Sequence, residues 1–567
     1  MYKGVNASDG FGIGVAQVAV APDLSFTPTK PKDAQKEKER YEAALAKFVE
    51  QTNAQIERMV VSIGEEAALI MGAHIEFAQD EGIKEMVSGS IDAGMCAEQA
   101  VSEAYDQYYT MFSQMEDELF RERAADVADV KTGLLADLLG KQVVDLSTLP
   151  ENSIVVVSEL TPSMTADIDK ENVAGIVTET GGRTSHSAII ARALEIPAVL
   201  SVADVTTNIK TGDMVIVDGT AGSVIVTPTK EELELYRGKA RAYAEDKAAL
   251  EAYRGKRTVT ADGDEKLLVA NIGNPDDANV AAEHDAEGVG LFRSEFLFMD
   301  AKELPSEDEQ FAAYQKVALR LKGQPIIIRT LDVGGDKEIP YLNLRKEENP
   351  FMGFRAVRYC LNNPDQYKVQ LTALLRASAF GDIKIMLPLV TSLEEVRKAK
   401  ALIEECKLDL DQRGISYNKD IEVGTMIETP AASLIADDLA AECDFFSIGT
   451  NDLIGYTMCA DRGNDRVAYL YEVYQPAVLR SLKRIIEEGN KKGILVGMCG
   501  EAAADPLLIP VLLSFGLGEF SVSAPSILAT RRTISEWTKE EADALTAKVM
   551  TLKTAAEVKA ALQAAAK

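Results

Sequence analysis

The spacing of hydrophobic residues changes twice along the chain. In the first long stretch, apolar residues recur at helical spacing within heavily charged sequence, as in DAQKEKERYEAALAKFVEQTNAQIERMV from Asp33 onward. No proline occurs from Asp33 to Leu149, so helices can run there without interruption. This pattern predicts a helical bundle over residues 23–142. A charged helical hairpin with only a packing role is the alternative.

From Ser153 onward the hydrophobic period becomes that of β-strands. The runs SIVVVSEL, AGIVTE, IPAVLSV, DMVIVDG and GSVIVTP are short and rich in β-branched residues, and the helix-forming SHSAIIARALE lies among them. Together with a strand-like amino terminus, they predict a β/α domain formed by residues 1–22 and 143–229, into which the helices are inserted. Residues 230–256 are polar and helical with little apolar periodicity, which is typical of a solvent-bridging connector.

Beyond Arg257, short hydrophobic runs alternate with helical stretches. The strand candidates are KLLVANI, EGVGLF, PIIIRTL, IKIMLPLV, IEVGTMIE, CDFFSIG, ILVGMCG and GEFSVSA. Strands separated by helices in this number predict a (β/α)8 TIM barrel, a fold of about 250 residues or more. We therefore expect an α/β multidomain protein whose barrel occupies residues 257–567.

Composition narrows the classes of partner. The 567 residues include 60 Lys and Arg against 90 Asp and Glu, a formal net charge of −30. This acidity argues against binding to nucleic acid or to anionic membrane surfaces, both of which select basic proteins. Six scattered cysteines without a CxxC motif are typical of reduced thiols. The amino terminus lacks an apolar leader, and no apolar run approaches bilayer length, so the sequence predicts a cytoplasmic protein.

The first candidate for chemistry is a histidine at the start of a predicted helix. In GGRTSHSAIIARA, two glycines and a Thr-Ser pair precede His186. A helix N-terminus offers free N–H groups and the positive end of the dipole, which suit a group that becomes dianionic. A neutral imidazole is a good nucleophile, and its phosphoramidate readily passes the phosphoryl group on. A histidine that merely caps the helix is the alternative, which the length of the string disfavours.

Polar residues follow the predicted barrel strands where each strand ends. Barrel enzymes build their active sites at this face. Loops are polar in any case, so the joint placement matters more than any single residue. The residues so placed are Arg293, Glu295, Arg329, Glu428, Asn451, Asp452, Arg462 and Cys499.

The chemistry of these residue types converges on phosphate. Arginine holds phosphate or carboxylate groups bidentately. Glu428 and Asp452 suit a Mg²⁺ ion that takes its other ligands from substrate and water. Asn451 can donate to a phosphate oxygen, and Cys499, as a thiol, can protonate a carbon. For Cys499 the alternative is a buried structural cysteine.

Strings spread over nearly the whole chain resemble one protein family. They include NASDGFGIG, GGRTSHSAIIARA, AEGVGLFRSEFLFMD, NPFMGFRAVR, MIETPAA, FFSIGTNDLIGYT and GMCGEAA. Together they resemble the Enzyme I family of the bacterial sugar phosphotransferase system, a branch of the phosphoenolpyruvate-utilising enzymes. The pair GGRTSH and GMCGE is highly specific to those enzymes.

The resemblance implies a role for each matching residue. It implies that His186 is the phosphorylated histidine and that Cys499 protonates the enolate carbon to give pyruvate. It further implies that Glu428 and Asp452 bind Mg²⁺. The implied substrate contacts are Arg293, Arg329, Arg355, Asn451, Asp452 and Arg462.

The resemblance also implies partners. The family takes a phosphoryl group from phosphoenolpyruvate, releases pyruvate, and passes the group to a histidine of the small phosphocarrier protein HPr in the first step of sugar uptake. Its helical insertion docks the carrier, its β/α domain swivels, and its barrel forms a homodimer. The chain departs from the family in its helical region, and in HDAEG, with His284, where NGAEG is common.

Other interpretations make different demands on the chain. A pyruvate phosphate dikinase or phosphoenolpyruvate synthase shares the histidine and barrel strings, but its ATP-binding domain would not fit within 567 residues. A nitrogen-regulatory paralogue would carry a sensory domain ahead of the β/α motif with which this chain begins. A non-catalytic scaffold would have lost the nucleophile, a metal ligand or the acid, and all three are present.

Overall fold

The computed structural model contains two compact units, Met1–Lys247 and Ala248–Lys567. No helix in the described part of the chain is long and apolar enough to cross a membrane. The described residues are 1–567 without 20–23, 32, 64, 115–117, 142–145, 147–148, 161–163, 165–167, 169, 183–185, 300, 302, 335–338, 343, 346, 462–463 and 465. The side chains of residues 58–70, 118–122, 125, 186, 189, 193 and 340 are likewise not described.

A mixed eight-stranded sheet forms the centre of the first unit, in the order β1-β8-β7-β3-β4-β5-β6-β2. Strands β3 to β6 run parallel, while the outer strands pair antiparallel. The amino-terminal residues thus supply a central strand, β3. The strands are β1 Tyr2–Lys3, β2 Val5–Ser8, β3 Phe11–Ala19, β4 Ser153–Val157, β5 Val173–Thr178, β6 Ala198–Leu200, β7 Met214–Asp218 and β8 Ser223–Val226.

The chain between β3 and β4 is helical, as its period predicted. Its helices share a core of their own, in which Tyr41, Ile83, Val101, Tyr105 and Leu134 are buried. The expected inserted helical bundle is therefore confirmed. The helices of the first unit up to β8 are Ala34–Ile63, Glu65–Gln79, Glu81–Asp92, Ala97–Ser113, Glu118–Leu139, His186–Ala193 and Val205–Asn208.

The helix Lys230–Glu251 follows the last strand of the first unit. Tyr236 is buried in it, and its ring centroid lies 6.1 Å from that of Phe11 on β3. Ile216 and Ile225 complete this small apolar cluster. The amino-terminal half of the helix therefore packs on the sheet, although its polar sequence predicted a solvent-bridging connector. One aromatic residue supplies a contact that a periodicity count does not register.

The second unit is a closed barrel of parallel strands, β9 to β16. All eight runs that the sequence singled out form its strands, so the predicted (β/α)8 barrel is confirmed. Such strands are covered on both faces, which explains their continuous apolar runs. They are β9 Leu267–Ile272, β10 Val289–Arg293, β11 Pro325–Arg329, β12 Asp382–Leu387, β13 Val423–Ile427, β14 Phe445–Ile448, β15 Leu495–Met498 and β16 Glu519–Val522.

Local capping sets the ends of the barrel helices. For example, Ser392 and Glu395 form a capping box at the start of Leu393–Arg413, and Gly414 ends that helix in the left-handed region at φ 67°. The other helices are Asp277–Glu283, Glu295–Met299, Glu307–Arg320, Val357–Asn362, Pro364–Ala377, Pro430–Leu434, Ala436–Ala440, Thr450–Met458, Pro476–Lys492, Ile509–Phe515, Ile527–Ser535, Lys539–Val549 and Ala555–Gln563.

One carboxyl group is buried within the barrel wall without an ion pair among the described residues. Glu519, the first residue of β16, is 1% exposed, and its Oε1 has no hydrogen-bond partner among the described residues. Burial raises the pKa of Glu519 to about 7, and the charge of Lys384 only partly opposes the shift. Between the ordinary pKa of 4.5 and about pH 7, Glu519 therefore keeps its proton in the native state but has lost it in the unfolded chain.

We expect Glu519→Gln to stabilise the protein at pH 8 but not near pH 4.5. In the parent chain, the protonated carboxyl contributes to the free energy of unfolding. This contribution is fully present below the ordinary pKa of 4.5 and is lost as pH rises through about 7. Glutamine cannot ionise, so the gain at pH 8 should be on the order of 2 kcal/mol. Thermal unfolding across this pH range measures it, with the exposed Glu540→Gln as control. Equal pH dependence in parent and variant would contradict the assignment.

Candidate active site

His186 is the first residue of the helix His186–Ala193, as the sequence predicted. Buried Ala188, Ile190 and Ala191 fix this short helix to the core of the first unit. The adjacent Ser187 is buried, and its hydroxyl donates to the Leu160 carbonyl at 2.9 Å. The backbone at the nucleophile candidate is thus held firmly. The His186 side chain and the residues Arg183 to Ser185 lie outside the described part of the structure.

The barrel candidates lie at the carboxyl ends of its strands. Because all eight strands are parallel, these ends share one rim. Arg462 lies outside the described residues. In chain order the others are Arg293 at the end of β10, Arg329 at the end of β11, Arg355 between β11 and β12, Glu428 directly after β13, Asn451 and Asp452 in the helix after β14, and Cys499 directly after β15.

Two of the arginines are buried in a network of carboxylates. Arg329 pairs through Nη2 with Glu295, and its Nη1 lies 3.2 Å from Oδ2 of Asp332. Arg355 Nη2 lies 3.0 Å from Oδ1 of Asp332 and 3.2 Å from Oδ2 of Asp452. Burial opposes the charge of Arg329, but Glu295 and Asp332 outweigh it and hold the arginine's pKa above its ordinary value. Both guanidinium groups therefore stay positive.

The same arginines each retain a donor that the described residues leave unused. Nε of Arg329 and Nε of Arg355 are buried without an acceptor in the described part of the chain. A buried unpaired donor is costly, and more so on a charged group. Oxygens of a bound phosphate or carboxylate group would satisfy such donors.

Two carboxylates meet beside these arginines. Glu428 is 3% exposed, and its Oε1 accepts a hydrogen bond from the Leu389 N–H at 2.6 Å. Burial and the negative charges of Asp452 and Asp332 raise the pKa of Glu428. Glu428 and Asp452 thus repel each other, and a divalent cation between them would relieve that repulsion. No cluster of three or more metal-ligating side chains occurs among the described residues.

Cys499 is buried beside the same groups. The residue is 3% exposed, and its thiol lies 3.7 Å from the Ile448 carbonyl. Burial raises the pKa of the Cys499 thiol to about 11, although the Ser447 hydroxyl and Arg329 favour the thiolate. The thiol therefore carries its proton at neutral pH. A protonated thiol in a dry site can act as an acid and is a poor nucleophile.

Arg293 and Asn451 border open space. Arg293 lines a cavity of about 550 Å³ together with Asn271 and Glu501, and Asn451 and Asp452 line a second cavity of about 470 Å³. Either volume is ample for a small-molecule ligand. The rim therefore combines accessible polar groups with the buried arginines, carboxylates and thiol.

Family models match three successive parts of the chain. They are described as the PEP-utilising enzyme N-terminal domain at residues 3–123, its mobile domain at 149–222, and its PEP-binding domain at 247–539. Proteins named phosphoenolpyruvate-protein phosphotransferase are similar over 98% of this chain. That of Bacillus sp. (strain S) is 47% identical with 96% of its own length covered, and that of Bacillus subtilis (strain 168) is 45% identical with 98% covered.

The chain belongs to the phosphoenolpyruvate–protein phosphotransferase family. The resemblance found in the sequence is thereby confirmed. The protein of Geobacillus stearothermophilus is likewise 47% identical over 98% of this chain and 96% of its own length. This member of the family is accordingly an enzyme, a phosphotransferase whose phosphoenolpyruvate-binding domain is a TIM barrel.

Sequence reasoning missed some residues of the phosphotransferase rim. It gave no role to Glu295 or Asp332, although both contact the buried arginines, and it did not mention Tyr456, whose hydroxyl lies 3.4 Å from Nη1 of Arg355. A signal was available for Asp332, because the RTLD string puts a carboxylate three residues after Arg329. No local signal joins Arg355 to Asp452 or Tyr456, which follow about 100 residues later and meet it only through barrel closure.

Proposed function

We propose that the enzyme transfers the phosphoryl group of phosphoenolpyruvate to His186, releases pyruvate, and passes the group to a histidine of the phosphocarrier protein HPr. The observation that carries the proposal is the barrel rim, where buried arginines with unused donors adjoin two carboxylates and a protonated thiol in a member of this family. Phosphoenolpyruvate is a small phosphate ester with a carboxylate, and its breakdown requires a proton at carbon. The arginines suit the phosphate and carboxylate groups, and the thiol suits the proton transfer to carbon.

Substrate binding falls to the arginines and Asn451. Arg329 and Arg355 offer fixed positive charge and the unused Nε donors to phosphate oxygens. Arg293 and Asn451 border cavities from which the substrate can be contacted. Arg462 joins them through the family resemblance. Charge on the transferring phosphoryl group is spread over its oxygens, so preorganised guanidinium groups stabilise the transition state.

Glu428 and Asp452 would hold Mg²⁺. Two carboxylates and no third metal-ligating side chain among the described residues fit an ion that completes its shell with substrate oxygens and water. When bound, Mg²⁺ supplies positive charge to the oxygens of the substrate. The protein's own part is to keep the two carboxylates close together, and the hydrogen bond from Leu389 to Glu428 helps to fix one of them.

Cys499 is the proposed acid. Loss of the phosphoryl group leaves the enolate of pyruvate, whose methylene carbon must take up a proton. The Cys499 thiol keeps its proton at neutral pH because burial raises its pKa. It lies beside Arg329 and Glu428 through the closure of the barrel. After donation, the site must recover a proton from solvent before the next turnover.

His186 is the proposed nucleophile, and its position at a helix start would stabilise the phosphohistidine. The inserted helices, residues 23–142, would dock the carrier. Tyr109 and Met111, near the end of the helix Ala97–Ser113, expose apolar surface suited to a protein partner.

We also propose, from the family alone, that the barrel at 257–567 forms a homodimer. On the same basis, the β/α domain at 1–22 and 143–229 swivels, residues 230–256 are a linker, and the enzyme acts in the cytoplasm in sugar uptake.

The decisive experiment compares the full chain with residues 1 to about 255. With labelled phosphoenolpyruvate, Mg²⁺ and purified carrier, the full chain should become labelled, pass label to the carrier and release one pyruvate per phosphoryl group. The shorter chain contains His186 and the inserted helices but no barrel, so it should exchange label with phosphorylated carrier and ignore phosphoenolpyruvate. A short chain that phosphorylates itself from phosphoenolpyruvate would refute this division of labour.

A further inference from the structure

Asp332 lies three residues beyond the end of β11 and is 2% exposed. Its carboxylate faces two guanidinium groups at once. Oδ2 lies 3.2 Å from Nη1 of Arg329, and Oδ1 and Oδ2 lie 3.0 and 3.2 Å from Nη2 of Arg355. Arg329 ends β11 and Arg355 lies in the segment after it, and Asp332 is a carboxylate that touches both.

The other terminal nitrogens of these arginines are also engaged. Nη2 of Arg329 pairs with Glu295, and Nη1 of Arg355 lies 3.4 Å from the Tyr456 hydroxyl. Each guanidinium group is therefore held at both ends in a single orientation. What each one keeps uncommitted among the described residues is its Nε donor. The network thus aligns two donors that are separate in the sequence.

We propose that Asp332 is a positioning residue that locks Arg329 and Arg355 into one phosphate clamp. The proposal rests on the proposed function, since it assigns these arginines to the phosphoryl group. Two like charges side by side in a buried site repel each other, and the carboxylate between them removes that repulsion. Because its oxygens are committed to the arginines, Asp332 differs in role from Glu428 and Asp452.

Asp332→Asn should separate substrate binding from catalysis. The amide keeps the size of the side chain but offers one acceptor oxygen and turns an NH₂ group toward a guanidinium. Removal of a negative charge favours a bound anion, whereas loss of alignment weakens contacts that tighten in the transition state. We expect kcat for pyruvate formation to fall about a hundredfold, the scale of a 1 Å misplacement, while KM for phosphoenolpyruvate changes no more than about threefold.

Two further variants separate position from charge and from stability. Asp332→Glu retains the charge but moves it by one methylene, so kcat should stay low. Asp285→Asn breaks another carboxylate–arginine pair, that of the partly exposed Asp285 with the buried Arg531, before β10 and away from the rim. It should lower the Tm as Asp332→Asn does, yet leave kcat and KM within about threefold of the parent.

A spectroscopic measurement makes the proposal independent of turnover. In the full chain labelled with ¹⁵N-arginine, the Nε–H signals of the buried Arg329 and Arg355 are assigned from Arg329→Lys and Arg355→Lys. These Nε–H protons should exchange slowly with solvent in the parent and in Asp285→Asn. In Asp332→Asn, their signals should change chemical shift and the protons should exchange faster, because the side chains are held less firmly.

The outcomes are distinct. Parent kcat in Asp332→Asn, full rescue by Asp332→Glu, or an equal loss of kcat in Asp285→Asn would each overturn the positioning role. If the parent chain itself fails to convert phosphoenolpyruvate, the proposed function fails, and the arginine signals then decide alone whether Asp332 fixes the two side chains. Unchanged signals in Asp332→Asn would refute the clamp even in an active enzyme.

Discussion

His186→Ala is expected to lose all phosphoryl transfer, with labelling from phosphoenolpyruvate falling to background while the Tm stays within a few degrees of the parent. The nucleophile is removed, and no other group in the proposed mechanism can accept the phosphoryl group. The fold should persist because the helix His186–Ala193 is held by buried residues beyond its first position, among them Ala188 and Ile190. In the parent, the label should be acid-labile and base-stable, as expected of a phosphoramidate.

The matched control is His284→Ala. His284 belongs to the barrel unit, where its Nδ1 lies 2.9 Å from the Val280 carbonyl, and it has no part in the proposed transfer. The His284→Ala variant should be labelled to the same extent and at the same rate as the parent. Substantial acid-labile label on His186→Ala, or loss of label in His284→Ala alone, would show that the phosphorylated histidine has been misassigned.

Cys499→Ala is expected to slow pyruvate formation by about 10² to 10⁴, the range that a general acid contributes. KM for phosphoenolpyruvate should change little, because the thiol acts on the enolate and not on the bound ester. The expected loss follows from the buried, protonated state of the thiol beside Arg329 and Glu428. Steady-state pyruvate release in the presence of the carrier gives kcat and KM directly.

Cys360→Ala controls for the loss of a buried thiol as such. Cys360 is also buried in the barrel, and its thiol lies 3.6 Å from the Leu331 carbonyl. The Cys360→Ala variant should be less stable, as expected for truncation of a core side chain, but should keep the turnover of the parent per folded molecule. Parent turnover in Cys499→Ala would mean that the thiol is structural and that another group protonates the enolate.

The sequence by itself determined the secondary-structure elements of this protein and which polar residues follow its barrel strands. Each barrel strand is a continuous apolar run bounded by polar residues, and such runs are local properties of the chain, so all eight strands were predictable. Parallel strands then place the following residues on one rim, so the sequence alone groups Arg329, Glu428 and Cys499. The start of a helix at His186 was equally local, because capping depends on a few adjacent residues.

Only the tertiary structure decided which charges neutralise which. Asp332 meets Arg355 through the folding of the long segment between β11 and β12, and Arg355 meets Asp452 through the closed barrel, across separations at which sequence carries no pairing signal. The protonated state of Cys499 likewise depends on burial, and burial is a sum over contacts from several strands. The central place of β3 and the docking of Tyr236 on the sheet have the same origin. Periodicity specifies which face of an element is apolar, whereas the partner of that face is chosen by the packing of the whole domain.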